Sequence, residues 1–176
     1  MADFYTTAES TKNNTILHRR DNLIAYTIET PSRILHHERS TLYKGPNREP
    51  IGFIEFHGLH DNIVEINGRS FLPHRAHESN HLSNSDSKEF MASDGRTYKW
   101  KHHSHGVWEL LTQDGSHTLI ARYDRNNISV YPQAILVQDE VILTLIYMRQ
   151  CEKKEDDEAI ITATASMGPI AGILPS

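Results

Sequence analysis

Three groups of side chains have the types and spacing to do chemistry. The first is His103-Ser104-His105 with Glu109, the pattern H-x-H-x3-E. On one continuous strand residues 103, 105, 107 and 109 share a face. Two imidazoles and a carboxylate on such a face could form the facial set of non-haem iron, or a zinc site. Ser104 and Gly106 oppose this, because they signal a hairpin tip over residues 101–106 that would break the shared face. The second group is His74, His77 and His81. With Pro73 opening a short helix, offsets of three and seven put all three on one side. Three neutral imidazoles leave the open fourth position that lets zinc acidify a water. The Ser- and Asn-rich surroundings read instead as a surface loop, where ordering three ligands costs entropy. His57 with His60, the third group, is a two-ligand fragment. One expectation is therefore a small metal-dependent or acid/base enzyme, with zinc or iron ligands drawn from His74, His77, His81, His103, His105 and Glu109.

Other chemistries have less behind them. There is no G-x-S-x-G elbow, no G-x-x-x-x-G-K-[ST] loop and no G-x-G-x-x-G, so nucleophile-elbow hydrolysis and nucleotide binding have no support. The single cysteine, Cys151, excludes an intramolecular disulfide framework and a multi-cysteine zinc site.

The elements that would position these residues read mostly as strands. Asn22–Thr30, Ile34–Tyr43, Ile51–Phe56 and Asn62–Ile66 are rich in β-branched and aromatic residues, and Asn67-Gly68 is a type I′ hairpin signal returning through Arg69–Leu72. After the polar stretch Pro73–Ser87, strands resume at Glu89–Ala92, Arg96–Lys101, Gly106–Thr112, His117–Asp124 and Ile128–Val137. Short strands at regular spacing indicate an all-β barrel or sandwich. The character then changes. Asp139-Glu140 precede the apolar run Val141–Met148, and Arg149–Glu158 continues in helix formers, with Asp139 placed to cap the N-terminus. A helix apolar on every side must be buried on every side, which places this one inside the sheet. The rival reading is a further strand, because Val, Ile, Thr and Tyr favour sheets.

The chain has 176 residues, enough for one domain with a sizeable core. Its formal net charge is −5, which argues against bulk neutralisation of nucleic acid. Protonating all 12 histidines would add twelve charges to −5 and give +7, so the surface could change sign in mild acid. No apolar stretch reaches the roughly 18 residues of a membrane span, and the start lacks a secretory signal pattern. A cytoplasmic location, or a peripheral one at membranes, is the expectation.

The run Gly95-Arg96-Thr97-Tyr98-Lys99-Trp100-Lys101, then Trp108-Glu109-Leu110, Leu119-Ile120-Ala121-Arg122-Tyr123 and the helix from Asp139 to Met148 resemble a domain family of unknown function common in mushroom-forming fungi. That family in turn resembles the tubby, LURP-one and scramblase group. The resemblance implies a mainly β fold, a closed antiparallel barrel around a buried hydrophobic C-terminal helix, over residues 22–154. Residues 1–21 would be an N-terminal extension or edge strand, and 155–176 a flexible or docking tail. It also implies a binding module whose partner is a lipid headgroup, a small hydrophobic ligand or another protein. No cofactor is expected on this reading. The H-x-H-x3-E motif is also faintly similar to that of cupin barrels, without their second histidine motif.

Overall fold

The computed structural model describes residues 1–8, 10–31, 38–57, 61–75 and 87–166. Thirteen strands come first: β1 (Ala2–Thr6), β2 (Asn14–His18), β3 (Ile24–Glu29), β4 (Glu38–Lys44), β5 (Glu49–Phe56), β6 (Ile63–Ile66), β7 (Arg69–Ser70), β8 (His74–Arg75), β9 (Lys88–Met91), β10 (Thr97–His103), β11 (Val107–Thr112), β12 (Leu119–Asp124) and β13 (Asn127–Val130). A 3₁₀ segment, Pro132–Val137, then leads into α1 (Gln138–Ser166).

All thirteen strands belong to one antiparallel sheet with the order β7-β6-β5-β4-β3-β2-β1-β13-β12-β11-β10-β9-β8. Each strand pairs with its sequence neighbour, apart from β7 and β8, and the first strand also pairs with the last, Phe4 opposite Ile128. The order is therefore a ring cut between β7 and β8. Only Phe71, Leu72 and Pro73 separate those two strands, so the cut edges lie within about 14 Å of each other, the reach of four extended residue steps. The expected closed barrel is not what forms. Among the described residues no ladder joins β7 to β8, and the ring is completed by the covalent chain rather than by hydrogen bonds. Pro73, which has no N–H to give a ladder, lies in that link.

The interior is filled by α1. Val141–Met148 are all buried, and all but Thr144 belong to one cluster with Phe4, Tyr26, Leu42, Ile54, Trp100, Trp108 and Leu110 from the strands. Strand side chains alternate, as in β11, where Trp108, Leu110 and Thr112 are buried between half-buried neighbours, so one face of the sheet is turned to the helix. A single sheet that covers a helix on all sides must curl round it. The helix reading of the apolar run is the observed one.

Three details depart from the sequence expectations. Asp139 is no N-cap: it stands inside the first turn of α1, the preceding 3₁₀ segment runs straight into the helix, and its carboxylate is taken by the sheet. The strand expected over Ile128–Val137 stops at Val130, and Pro132 opens the 3₁₀ segment instead. Residues 1–21 supply β1 and β2, which occupy interior places in the strand order.

Polar ties register α1 inside the sheet. Near its start the Tyr26 hydroxyl donates to Asp139 Oδ1 (2.6 Å), Gln138 Nε2 donates to the same hydroxyl (2.8 Å), and Lys44 Nζ lies 2.7 Å from Asp139 Oδ2. Burial, and then Asp139, push the Tyr26 pKa upward, so this phenol remains a donor. Midway, the buried indole N–H of Trp100 donates to Thr144 Oγ1 (3.0 Å), whose hydroxyl donates to the Glu140 carbonyl (2.8 Å). Further along, Gln150 Nε2 donates to the Thr11 carbonyl (2.7 Å) and to Ser40 Oγ (3.0 Å).

Candidate functional sites at the two ends of the helix

Strand registers sort every turn to one end or the other. Ala2 lies opposite Val130, Phe4 opposite His18, Tyr26 opposite Lys44, Gly52 opposite Ile66, Met91 opposite Thr97 and Tyr98 opposite Thr112. The turns 19–23, 45–48, 67–68, 92–96 and 113–118 therefore share one end with residues 131–137, where α1 enters. The turns 104–106 and 125–126 lie at the other end, where α1 leaves.

Among the described residues singled out for chemistry, His57, His103, His105 and Glu109 lie towards the exit end. His103 closes β10 and Glu109 lies two residues into β11 on the same outer side, so His103 Nε2 comes within 3.0 Å of Glu109 Oε2. The other oxygen of Glu109 accepts from Arg122 (3.2 Å), which also reaches Asp124 (3.2 Å). A guanidinium thus already balances the carboxylate. His105 does not join them. The hairpin turn falls at Ser104–Gly106, as Ser104 and Gly106 signalled, with His105 at φ +66°. The left-handed turn breaks the period-two face that the H-x-H reading needs. His74 sits in β8 opposite Glu89, while His77, His81 and His60 lie outside the described residues. His57 Nε2 is 3.6 Å from Glu55. Among the described residues no group of three His, Cys, Asp or Glu side chains is arranged to hold a metal ion.

Sequence reasoning missed a different grouping beside the emerging helix. A cavity of about 180 Å³ is lined by Lys88, His102, Trp108, Met148, Cys151 and Glu152, among others. The His102 ring stacks on the Trp108 indole with centroids 4.5 Å apart, and both reach Glu152 on α1, His102 Nε2 at 3.2 Å and the indole N–H at 3.4 Å. On the next turn Tyr147 accepts from Asn62 (3.4 Å) and stacks on Phe56, and burial raises its pKa. These contacts staple α1 to β10 and β11 and, through Tyr147, to the end of β5 and the residue before β6. No sequence signal marked them, because they join the helix to residues 44 to 91 positions away.

The entry end is chemically unlike the exit. Leu136, at the tip of the 3₁₀ segment, is 93% exposed, and its neighbour Ile135 is also exposed. Leu23 (63% exposed) on the β2–β3 turn and Ile24 at the start of β3 follow the exposed Arg19 and Arg20. Both groups stand at this same end: Tyr26, three residues past Leu23, is bonded to Gln138, two residues past Leu136. Met1 joins them through the pairing of Ala2 with Val130. These are large aliphatic side chains left in water while 32 hydrophobic residues elsewhere are buried among the described residues.

No helix among the described residues is long and apolar enough to cross a membrane. Residues 9–154 match the model of a family described as a family of unknown function (DUF6593). No curated protein and no solved structure matches the chain.

Proposed function

We propose, for a chain that belongs to this family of unknown function, a non-enzymatic binding module that works from its outer surface and takes membrane lipid as its ligand. The observation that supports this reading is the occupied interior. With Val141–Met148 buried and the core continuous from sheet to helix, the helix fills the centre of the sheet among the described residues and leaves the small cavity of about 180 Å³ at the exit end. Recognition then falls to the outer surface, where a cluster of exposed aliphatic side chains is the feature that a soluble surface does not need. The finer kinship with tubby-like barrels belongs to the same proposal. It rests on a sheet wrapped around an apolar C-terminal helix, here left open at the seam between β7 and β8.

The alternative, a metal-dependent enzyme, finds less to work with. His103 and Glu109 meet, but Arg122 is the third partner. Co-flotation of the full chain with vesicles tests the proposal. The expected result is partition onto phosphatidylcholine vesicles containing a quarter phosphatidylserine. Absence of the chain from the vesicle fraction at every pH from 5 to 7.5 would remove the membrane reading.

A further inference from the structure

We infer that the chain meets the bilayer end-on, through the rim where α1 enters, with Leu136 and Leu23 among the acyl chains and Arg20 at the headgroups. This rests on the membrane reading above and adds which surface, and in what orientation, does the binding.

The argument begins with what the rim offers. Leu136 and Ile135 lie in a 3₁₀ segment between the buried Ala134 and Val137, so they are held out from the core by an anchor on each side. The neighbouring turn is equally fixed, with His18 N–H donating to the Leu23 carbonyl (2.9 Å). Its one acid, Asp21, accepts from the Leu23 N–H (3.1 Å). Arg19 is tied to Asn127 on the outer wall, which leaves Arg20 as the guanidinium carried on the turn itself. Aliphatic side chains flanked by arginine are the composition that partitions into an anionic interface.

The charge distribution along the molecule sets the orientation. The chain carries −5 overall, which an anionic membrane repels. Of the 23 acids, Glu155, Asp156 and Asp157 form an exposed run on the extension of α1, beyond the exit end. From Gln138 to Glu155 the helix advances roughly 26 Å, at about 1.5 Å per residue. That exceeds the screening length of about 8 Å at physiological salt. End-on docking therefore places the acids where the membrane does not feel them, whereas side-on docking brings them to its surface. A second copy of the chain is the competing occupant, and the same variants distinguish it.

The test compares the wild-type full chain with Leu23→Asp/Leu136→Asp, Arg20→Gln and, as the control at the far end, Ile160→Asp/Ile161→Asp. Each is measured by co-flotation with vesicles of phosphatidylcholine alone and with a quarter phosphatidylserine. Circular dichroism checks the fold, which substitutions at exposed positions leave intact. The expected result is at least a tenfold loss of vesicle binding for the double leucine variant. Arg20→Gln should lose several-fold on the anionic vesicles only, and the control should stay within twofold. Wild type that fails to bind either vesicle overturns the membrane reading itself. Wild type that binds, with the double leucine variant binding equally well, overturns the end-on inference alone. Sedimentation that shows wild-type self-association, lost in the leucine variant without change in vesicle binding, assigns the rim to a second copy and also overturns it.

Discussion

At the scale of single residues, histidine-rich composition drew attention to metal chemistry, and backbone geometry decided against the leading motif. His105 occupies a left-handed turn position, so His103 has Glu109 as its carboxylate partner without a second imidazole. The turn itself was legible from Ser104 and Gly106. The Arg122 partner was not, because cross-strand neighbours depend on register. Another carboxylate shows a residue-scale effect that can be measured. Asp114, on the β11–β12 turn, accepts from Ser116 Oγ (2.6 Å), Thr112 Oγ1 (2.8 Å) and the Ser116 N–H (3.1 Å), which lowers its pKa from 3.8 to about 2. The folded form thus holds its proton less tightly than the unfolded chain. The stability this supplies is complete above about pH 4 and disappears as pH falls through about 2. In Asp114→Asn that part of the acid dependence should be missing, so urea midpoints of wild type and variant should converge between pH 4 and 2. Parallel midpoints over that interval would show that the turn does not hold the carboxylate in this way.

At the scale of elements, the run near the C-terminus was legible as a buried helix because seven of its eight residues from Val141 to Met148 are apolar and face every side. Its polar fastenings were not legible. Asp139 has the type and place of an N-cap, yet Tyr26 and Lys44 claim it from 113 and 95 residues away, and only the folded sheet brings them there. The seam was equally hidden, since Arg69–Leu72 read as a strand while the stretch from Pro73, which holds the strand at His74–Arg75, read as a loop or short helix. β5 shows how tightly the sheet is drawn. A Cβ on Gly52 would sit 2.5 Å from the Glu65 carbonyl oxygen and 3.2 Å from Ile66 Cα, both backbone atoms of β6. That is a close approach that only glycine permits in a strand interior. Gly52→Ala must push β6 away from β5, and overpacking of this kind costs about 1–3 kcal/mol. Urea unfolding should show the loss; unchanged stability would mean that the β5–β6 ladder has slack the geometry does not show.

At the scale of the whole molecule, a sheet with a helix at its axis has two unlike ends. The exit end is bound to α1 by His102, Trp108 and Glu152, and by Gln150 reaching Thr11 and Ser40. The entry end presents aliphatic tips that burial would favour by about 2 kcal/mol each, with about 1 kcal/mol more for each arginine near an anionic surface. Those magnitudes predict reversible, salt-sensitive association rather than permanent anchoring. Amide hydrogen exchange of the full chain, with and without phosphatidylserine-containing vesicles, surveys both ends at once without any substitution. Slower exchange over residues 19–24 and 131–137, with 103–107 and the helix beyond Glu152 unaltered, is the outcome this account predicts. Protection concentrated at the exit end, or no change anywhere while the chain co-floats with the vesicles, would contradict it.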